Sequence, residues 1–192
     1  NNLRYTARMH VSLFDAENNY GYAGTYLGDK HVLTVGASFQ YEPDVIYADT
    51  VNKSEKKDYM AYSFDIFYEQ PIGFGALTVS AAYLNVDFDD AYREQSPSAT
   101  SYGLNGQKNG FYGKAGYLLP MDVGPGMLQI FGRYDDFNFA NLNNATTGTD
   151  VVDQNVPRIA GGVNYYIPGQ DLKVTGEYCL TKFDKENSDH PN

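Results

Sequence analysis

Tryptophan is missing from the 192 residues, cysteine occurs once, and no apolar run approaches the length of a membrane-spanning helix. A single cysteine excludes a disulfide framework and a cysteine-based zinc site. The lack of a long apolar run excludes a transmembrane helix, but not a membrane, because barrel strands need only about 9–11 residues of alternating character. Positive charge is scarce: 14 Lys and Arg stand against 24 Asp and Glu, a net charge of −10. Nucleic acid wants a basic face, so no nucleic-acid partner is expected. No leader-like stretch opens the chain at Asn1. The reading there is a mature protein or a fragment. Apolar residues at helical spacing are nearly absent.

Aromatic residues and glycine are plentiful instead, with 18 Tyr, 11 Phe and 19 Gly. Disordered chains are poor in aromatics, and Tyr, Val and Thr favour strands. Hydrophobic residues make up 42%, yet mean hydropathy is −0.48. The length suits one folding unit or part of one.

Alternation with a period of two recurs along the chain and predicts strands at about 2–14, 31–41, 58–70, 75–87, 109–119, 127–138, 155–167 and 171–182. Leu172, Val174, Gly176, Tyr178 and Leu180 alternate with Lys173, Thr175, Glu177 and Cys179. Leu3, Tyr5, Ala7, Met9, Val11 and Leu13 alternate with Arg4, Thr6, Arg8, His10 and Ser12. Short Pro- and Gly-containing connections follow the third, fifth and seventh strands, at Pro71–Phe74, Pro120–Gly126 and Pro168–Gln170. Long polar loops are expected at Glu42–Lys57, Phe88–Lys108 and Phe139–Gln154. The Asp15–Lys30 connection is intermediate and is placed on the short-turn side.

Short turns at one end and long loops at the other are the signature of an outer-membrane barrel. About eleven residues rising roughly 3.4 Å each, tilted about 40°, span roughly 28 Å, the height of the apolar band of such barrels. A soluble sandwich or lipocalin-like barrel shares the period, but strands average about 5–6 residues, half the length here. The predicted fold is therefore all-β, an antiparallel up-and-down transmembrane β-barrel. About eight strands lie in this chain. Residues 1–192 are read as a single barrel segment, incomplete at one or both ends.

With the apolar faces toward lipid, Arg4, Arg8, His10, Lys114, Arg133, Arg158 and Lys173 become pore-lining, opposed by Asp65, Glu69, Asp135 and Glu177. A charge turned to lipid would cost about 2–4 kcal/mol at the midplane, which fixes the parity. A basic wall lowers the barrier to anions. The alternative is that each arginine merely pairs with an Asp or Glu on the neighbouring strand, as Arg133 with Asp135 or Glu177. Most other acids fall in the predicted loops, so the net negative charge is a loop property. Outward Tyr5, Tyr41, Tyr134 and Tyr178 are expected near the long-loop ends, and Tyr68, Tyr117 and Tyr165 near the short turns. They would form two girdles at headgroup level. Ordinary strand preference of tyrosine is the rival explanation.

The stretches Leu128-Gln129-Ile130-Phe131-Gly132-Arg133-Tyr134-Asp135 and Gly162-Val163-Asn164-Tyr165-Tyr166-Ile167, the latter running into Asp171-Leu172-Lys173-Val174, resemble the last strands of the phosphate-selective porin O and P family. So does Thr25-Tyr26-Leu27-Gly28-Asp29-Lys30 leading into Leu33-Thr34-Val35-Gly36. The resemblance implies a trimeric porin of about sixteen strands in a Gram-negative outer membrane, and Arg133 and Arg158 match arginines of its pattern. Such porins end in a strand with a terminal aromatic, whereas this chain stops at His190-Pro191-Asn192. The chain is read as the C-terminal half, lacking at least the last strand, and phosphate selectivity is not carried over. Lys53, Lys56 and Lys57 could hang into a pore or be solvated.

Other chemistry is weak. His10 and Ser12 share a face but stand about 7 Å apart on a strand, too far for a nucleophile–base pair. Asp87, Asp89 and Asp90 lack the spacing of a dedicated calcium loop. Cys179 reads as a structural thiol. No Gly-rich phosphate motif or haem site occurs, and no cofactor, metal or enzymatic activity is expected. Asn144-Ala145-Thr146 is a formal sequon that a bacterial setting leaves unused. The expected function is passive diffusion of small hydrophilic solutes with modest anion preference, and lipid and solute are the partners. Two rivals are a barrel housing a partner such as an electron-transfer cytochrome, and a closed eight-stranded anchor or adhesin.

Overall fold

The computed structural model describes residues 2–17, 24–49, 52–87, 107–142, 151–167 and 172–182. These residues form eight strands and no helix: β1 (Tyr5–Phe14), β2 (Val32–Asp49), β3 (Ser54–Ile72), β4 (Gly75–Asp87), β5 (Gln107–Val123), β6 (Gly126–Leu142), β7 (Val151–Ile167) and β8 (Leu172–Thr181). They make one antiparallel sheet in chain order. β1 and β8 each pair with a single neighbour among the described residues, so the sheet is not closed, unlike the closed eight-stranded alternative.

Register keeps the two faces apart. One row runs Val11, Val35, Ile66, Ala81, Gly113, Tyr134, Ile159 and Leu180 across all eight strands. The row one residue away carries Asp65, Tyr112, Asp135 and Arg158. The apolar face is uncovered: Met9 is 70% exposed, Phe64 56%, Ile159 58% and Tyr178 73%. Contiguous apolar surface on this scale marks an apolar environment. The small buried apolar cluster of Ala76, Leu118 and Tyr166 lies on the opposite face, at the short-turn end, with Leu27 and Met127 packed against it.

The turns explain the tight hairpins. Gly73 and Gly124 have φ of 61° and 62°, and each opens a two-residue connection between strands. A first central residue with positive φ suits the twist of an antiparallel hairpin. The Pro71–Phe74 and Pro120–Gly126 connections shrink to Gly73-Phe74 and Gly124-Pro125, because the strands run into them. The Pro168–Gln170 connection lies outside the described residues.

The other ends differ more from expectation. Glu42–Lys57 is not a loop: β2 runs to Asp49 and β3 begins at Ser54, paired Asp49 to Ser54. The first arm of this hairpin runs Glu42-Pro43-Asp44-Val45-Ile46-Tyr47, so no apolar alternation announces it. A bulge between Glu42 and Ile46, with Asp44 at φ 53°, bends it. Asn2 steadies the bulge by donating to the carbonyls of Pro43 and Asp44, both at 2.8 Å. Lys53 stands at the hairpin's turn, and Lys56 and Lys57 in its second arm opposite Tyr47 and Ile46. The expected loops at 88–108 and 139–154 are shortened by β5, β6 and β7, and their tips, with Asp89, Asp90 and the sequon, lie outside the described residues.

The two faces make opposite demands on charge. Ile130→Lys, on the uncovered apolar face, is expected to lower unfolding stability in phospholipid vesicles by about 2–4 kcal/mol. Ser80→Lys, on the polar face, is expected to change it far less. Urea titration followed by tyrosine fluorescence measures both.

Candidate functional site: the polar face

The polar face encloses a cleft of about 640 Å³, lined by Arg8, Asp65, Thr78, Ser80, Tyr112 and Lys114 among others. All ten charged residues predicted for a lumen lie on this face, brought there by strand parity. Arg4 stands just before β1 and Arg8 within it, Asp65 and Glu69 come from β3, Lys114 from β5, Arg133 and Asp135 from β6, Arg158 from β7, and Lys173 and Glu177 from β8. The seven predicted girdle tyrosines all lie on the opposite face. Tyr165 donates to the Val123 carbonyl at 2.6 Å, tying its hydroxyl to a short turn.

The arginines are paired. Arg4 Nε meets Glu42 Oε2 at 2.7 Å. Arg8 donates two parallel bonds to Asp65, at 2.9 and 3.0 Å, and another to Ser38 at 2.8 Å. Arg133 meets Asp135, two residues along its own strand, at 2.7 Å. Arg158 meets Glu177 of β8 at 2.5 Å. All four arginines of the described residues are thus paired, but only Arg4 and Arg158 with a neighbouring strand as the alternative has it: Arg8 reaches past β2 to β3, and Arg133 stays within β6. Asp135 is 1% exposed, and its Oδ2 has no partner, as has the neighbouring Arg158 Nε. Burial without that partner makes Asp135 depend on Arg133.

Gly36 makes the longest of these pairs possible. It sits on β2 between Arg8 on β1 and Asp65 on β3. A Cβ there would lie 2.6 Å from Asp65 Oδ1 and 2.9 Å from Arg8 Nη2. The ion pair thus crosses a whole strand over bare backbone.

The two lysines are held differently. Lys114 Nζ lies 4.5 Å from the centre of the Phe131 ring, and Lys173 Nζ 5.5 Å from that of Tyr166. Such contacts attract a cation without cancelling its charge. Phe131 itself faces Gly116 on one side and Gly162 on the other, and a Cβ at Gly162 would meet its ring at 2.9 Å.

Glu69 has no exposure at all, so it does not line open space beside the other charges. It accepts bonds from the Thr25 hydroxyl at 2.7 Å, the Tyr26 amide at 2.9 Å, the Gly28 amide at 2.9 Å and the Thr78 hydroxyl at 3.2 Å. From Thr78 the bonding continues to Gln129 at 3.3 Å, Asn164 at 2.8 Å and Thr175 at 2.8 Å. Tyr166 also donates to Gln129, at 3.0 Å. This belt crosses from β3 to β8. The sequence reading missed its uncharged members, and it missed Gly36, Glu42 and Glu17. Alternation places such residues on the polar face but does not say which ones meet.

Tyr26 is buried on the same side. Its hydroxyl donates to Glu17 at 2.8 Å, and Lys30 Nζ lies 4.6 Å from its ring centre. Burial first, then the bond to Glu17 and the nearby carboxylates, push its pKa to about 12. Ser12 bonds Thr34 at 3.0 Å rather than His10. Cys179 is exposed, opposite Ala160. Among the described residues no cluster of His, Cys, Asp and Glu could hold a metal ion.

One exposed apolar face and one charged face, kept apart over eight antiparallel strands, define an amphipathic all-β sheet. More particularly, residues 98–192, the C-terminal part of the chain, match the family phosphate-selective porin O and P. The chain is also 28% identical over 152 residues to an uncharacterized protein of Aquifex aeolicus (strain VF5), covering 78% of this chain and 31% of that protein. The chain thus spans about a third of the length of this relative. No solved structure matches it.

Two outcomes follow. Gly36→Val should break the Arg8–Asp65 pair and cost about 1–3 kcal/mol by overpacking. Gly132→Val, where an added Cβ meets nothing within 4 Å, should not. Urea midpoints in vesicles compare the two. For Tyr26, the unfolded phenol ionises near 10.0 and the folded one near 12. Its stabilising contribution is complete below pH 10 and declines as pH rises from 10 toward 12. The stability gap between the parent and Tyr26→Phe should therefore narrow across that window.

Proposed function

We propose that this chain is a segment of an outer-membrane porin of a Gram-negative bacterium, passing small hydrophilic solutes by passive diffusion with a modest preference for anions. The observation that carries the reading is the separation of faces. Apolar side chains lie uncovered on one side, and every charged residue of the predicted lumen lies on the other. The match of residues 98–192 to a porin family supports it.

The open edges extend this reading. Among the described residues, β1 and β8 each present ten residues of strand with one side unpaired. Unsatisfied amides and carbonyls in hydrocarbon cost several kcal/mol each, so only a closed barrel is stable there. Further strands, to a total of about sixteen, close the wall and leave a water-filled lumen. The relative is about three times as long as the matched part, which leaves room for them. A homotrimer follows the resemblance.

Anion preference rests on the lysines. The four arginines share their charge with carboxylates, whereas Lys114 and Lys173 rest on aromatic rings. A cation lining a pore lowers the barrier to anions. No residue is chemically changed, and the chain acts as a wall rather than an enzyme.

The test is reconstitution of the whole protein in a planar bilayer with a salt gradient. Open channels with an anion-directed reversal potential are expected, and Lys114→Ala with Lys173→Ala should move that potential toward zero. Absence of conductance would contradict the pore. An unchanged potential in the double variant would contradict the role of the lysines.

A further inference from the structure

The connection between β1 and β2 does not hang clear of the sheet. Its described parts are residues 15–17 and 24–31, and the second turns back over the polar face at the short-turn end. Thr25 and Tyr26 are 1% and 7% exposed. Leu27 packs against the buried cluster of Ala76, Leu118 and Tyr166. Tyr26 lies edge-on to Phe67 of β3, with ring centres 6.1 Å apart. A segment that leaves β1 and enters β2 thus covers wall as far as β4.

Two features hold it there. Leu27 and Gly28 have φ of 56° and 85°, which bends the backbone so that its amides converge. A Cβ at Gly28 would stand 3.2 Å from that of Ala76, so the turn sits directly on β4. The amides of Tyr26 and Gly28 and the Thr25 hydroxyl then meet in the Glu69 carboxylate. A fully buried carboxylate is stable only with such a set of donors. Glu17 secures the other side through Tyr26 and the hydroxyl of Thr34. Glu17 and Gly24 line the cleft itself.

We propose that residues 24–28 form the size-selecting constriction of this part of the lumen, at its short-turn mouth, with Glu69 as the positioning residue that latches the segment against the wall. This rests on the porin reading and adds to it the element that sets the solute cut-off. The segment narrows the pore because it occupies space on the polar face, not by its charge. Its backbone amides are held by one carboxylate on β3, so a single change at Glu69 loosens it without touching the segment.

The experiment measures single-channel conductance and the cut-off for uncharged sugars in liposome swelling, using the whole protein. Glu69→Ala should raise both conductance and cut-off. Glu69→Gln, which keeps one acceptor oxygen for the amides, should stay closer to the parent. Thr25→Ala with Leu27→Ala changes no strand residue and should raise both readings even if Glu69→Ala fails to fold. Parent channels with unchanged conductance and cut-off in this double variant would overturn the inference while leaving the porin reading intact. No channels from the parent would overturn the porin reading itself.

Discussion

A strand sends successive side chains to opposite faces, and antiparallel pairing passes that alternation to the next strand only while the register holds. In this chain it holds through the middle of all seven pairings. The irregularities fall near strand ends, at Glu42/Ile46, Gln107/Asn109 and Leu118/Asp122. Everything else depends on this. A slip of one residue in β7 or β8 would turn Arg158, Lys173 and Glu177 to the apolar side and Ile159, Val174 and Tyr178 to the polar side. The cost of charge in hydrocarbon makes such a slip prohibitive, so register and environment fix one another.

The polar face is ordered by small residues as much as by charged ones. Gly36 lets an ion pair cross β2, and Gly162 gives the Phe131 ring the place from which it faces Lys114. Neutralised arginines and ring-supported lysines divide the labour: the former tie strands together, the latter leave positive charge in the cleft. Below them, the belt from Glu69 to Thr175 satisfies buried polar groups strand by strand and anchors the inward turn. Partly satisfied networks of this kind are costly, and full connection makes them rigid.

All eight strands were legible from period two, and so were the faces of Arg133, Glu177, Tyr5 and Tyr178, because an amphipathic wall writes its pattern into every second residue. The ends were not legible. Beyond Glu42 the pairing of β2 with β3 continues to Asp49 and Ser54, but Glu42-Pro43-Asp44-Val45-Ile46-Tyr47 has no period of two, so alternation carries no signal there. Partner choice was legible only in part. Arg133 with Asp135 follows from nearness along one strand, but Arg8 with Asp65 bridges residues far apart in sequence and needs the register of two pairings. Glu69 looked like one more wall charge. Its burial depends on where the β1–β2 connection folds, and no periodicity reports the path of a turn.

The account stands on one claim, that the polar face meets water and the apolar face meets lipid. Single cysteines placed at Ser80, Lys114 and Glu177, and at their sequence neighbours Val79, Ala115 and Tyr178, test it most directly in a Cys179→Ser background with a membrane-impermeant thiol reagent. The account predicts labelling of the first three in intact membranes and protection of the last three until detergent is added. Equal labelling of both sets, or the reverse pattern, would contradict it.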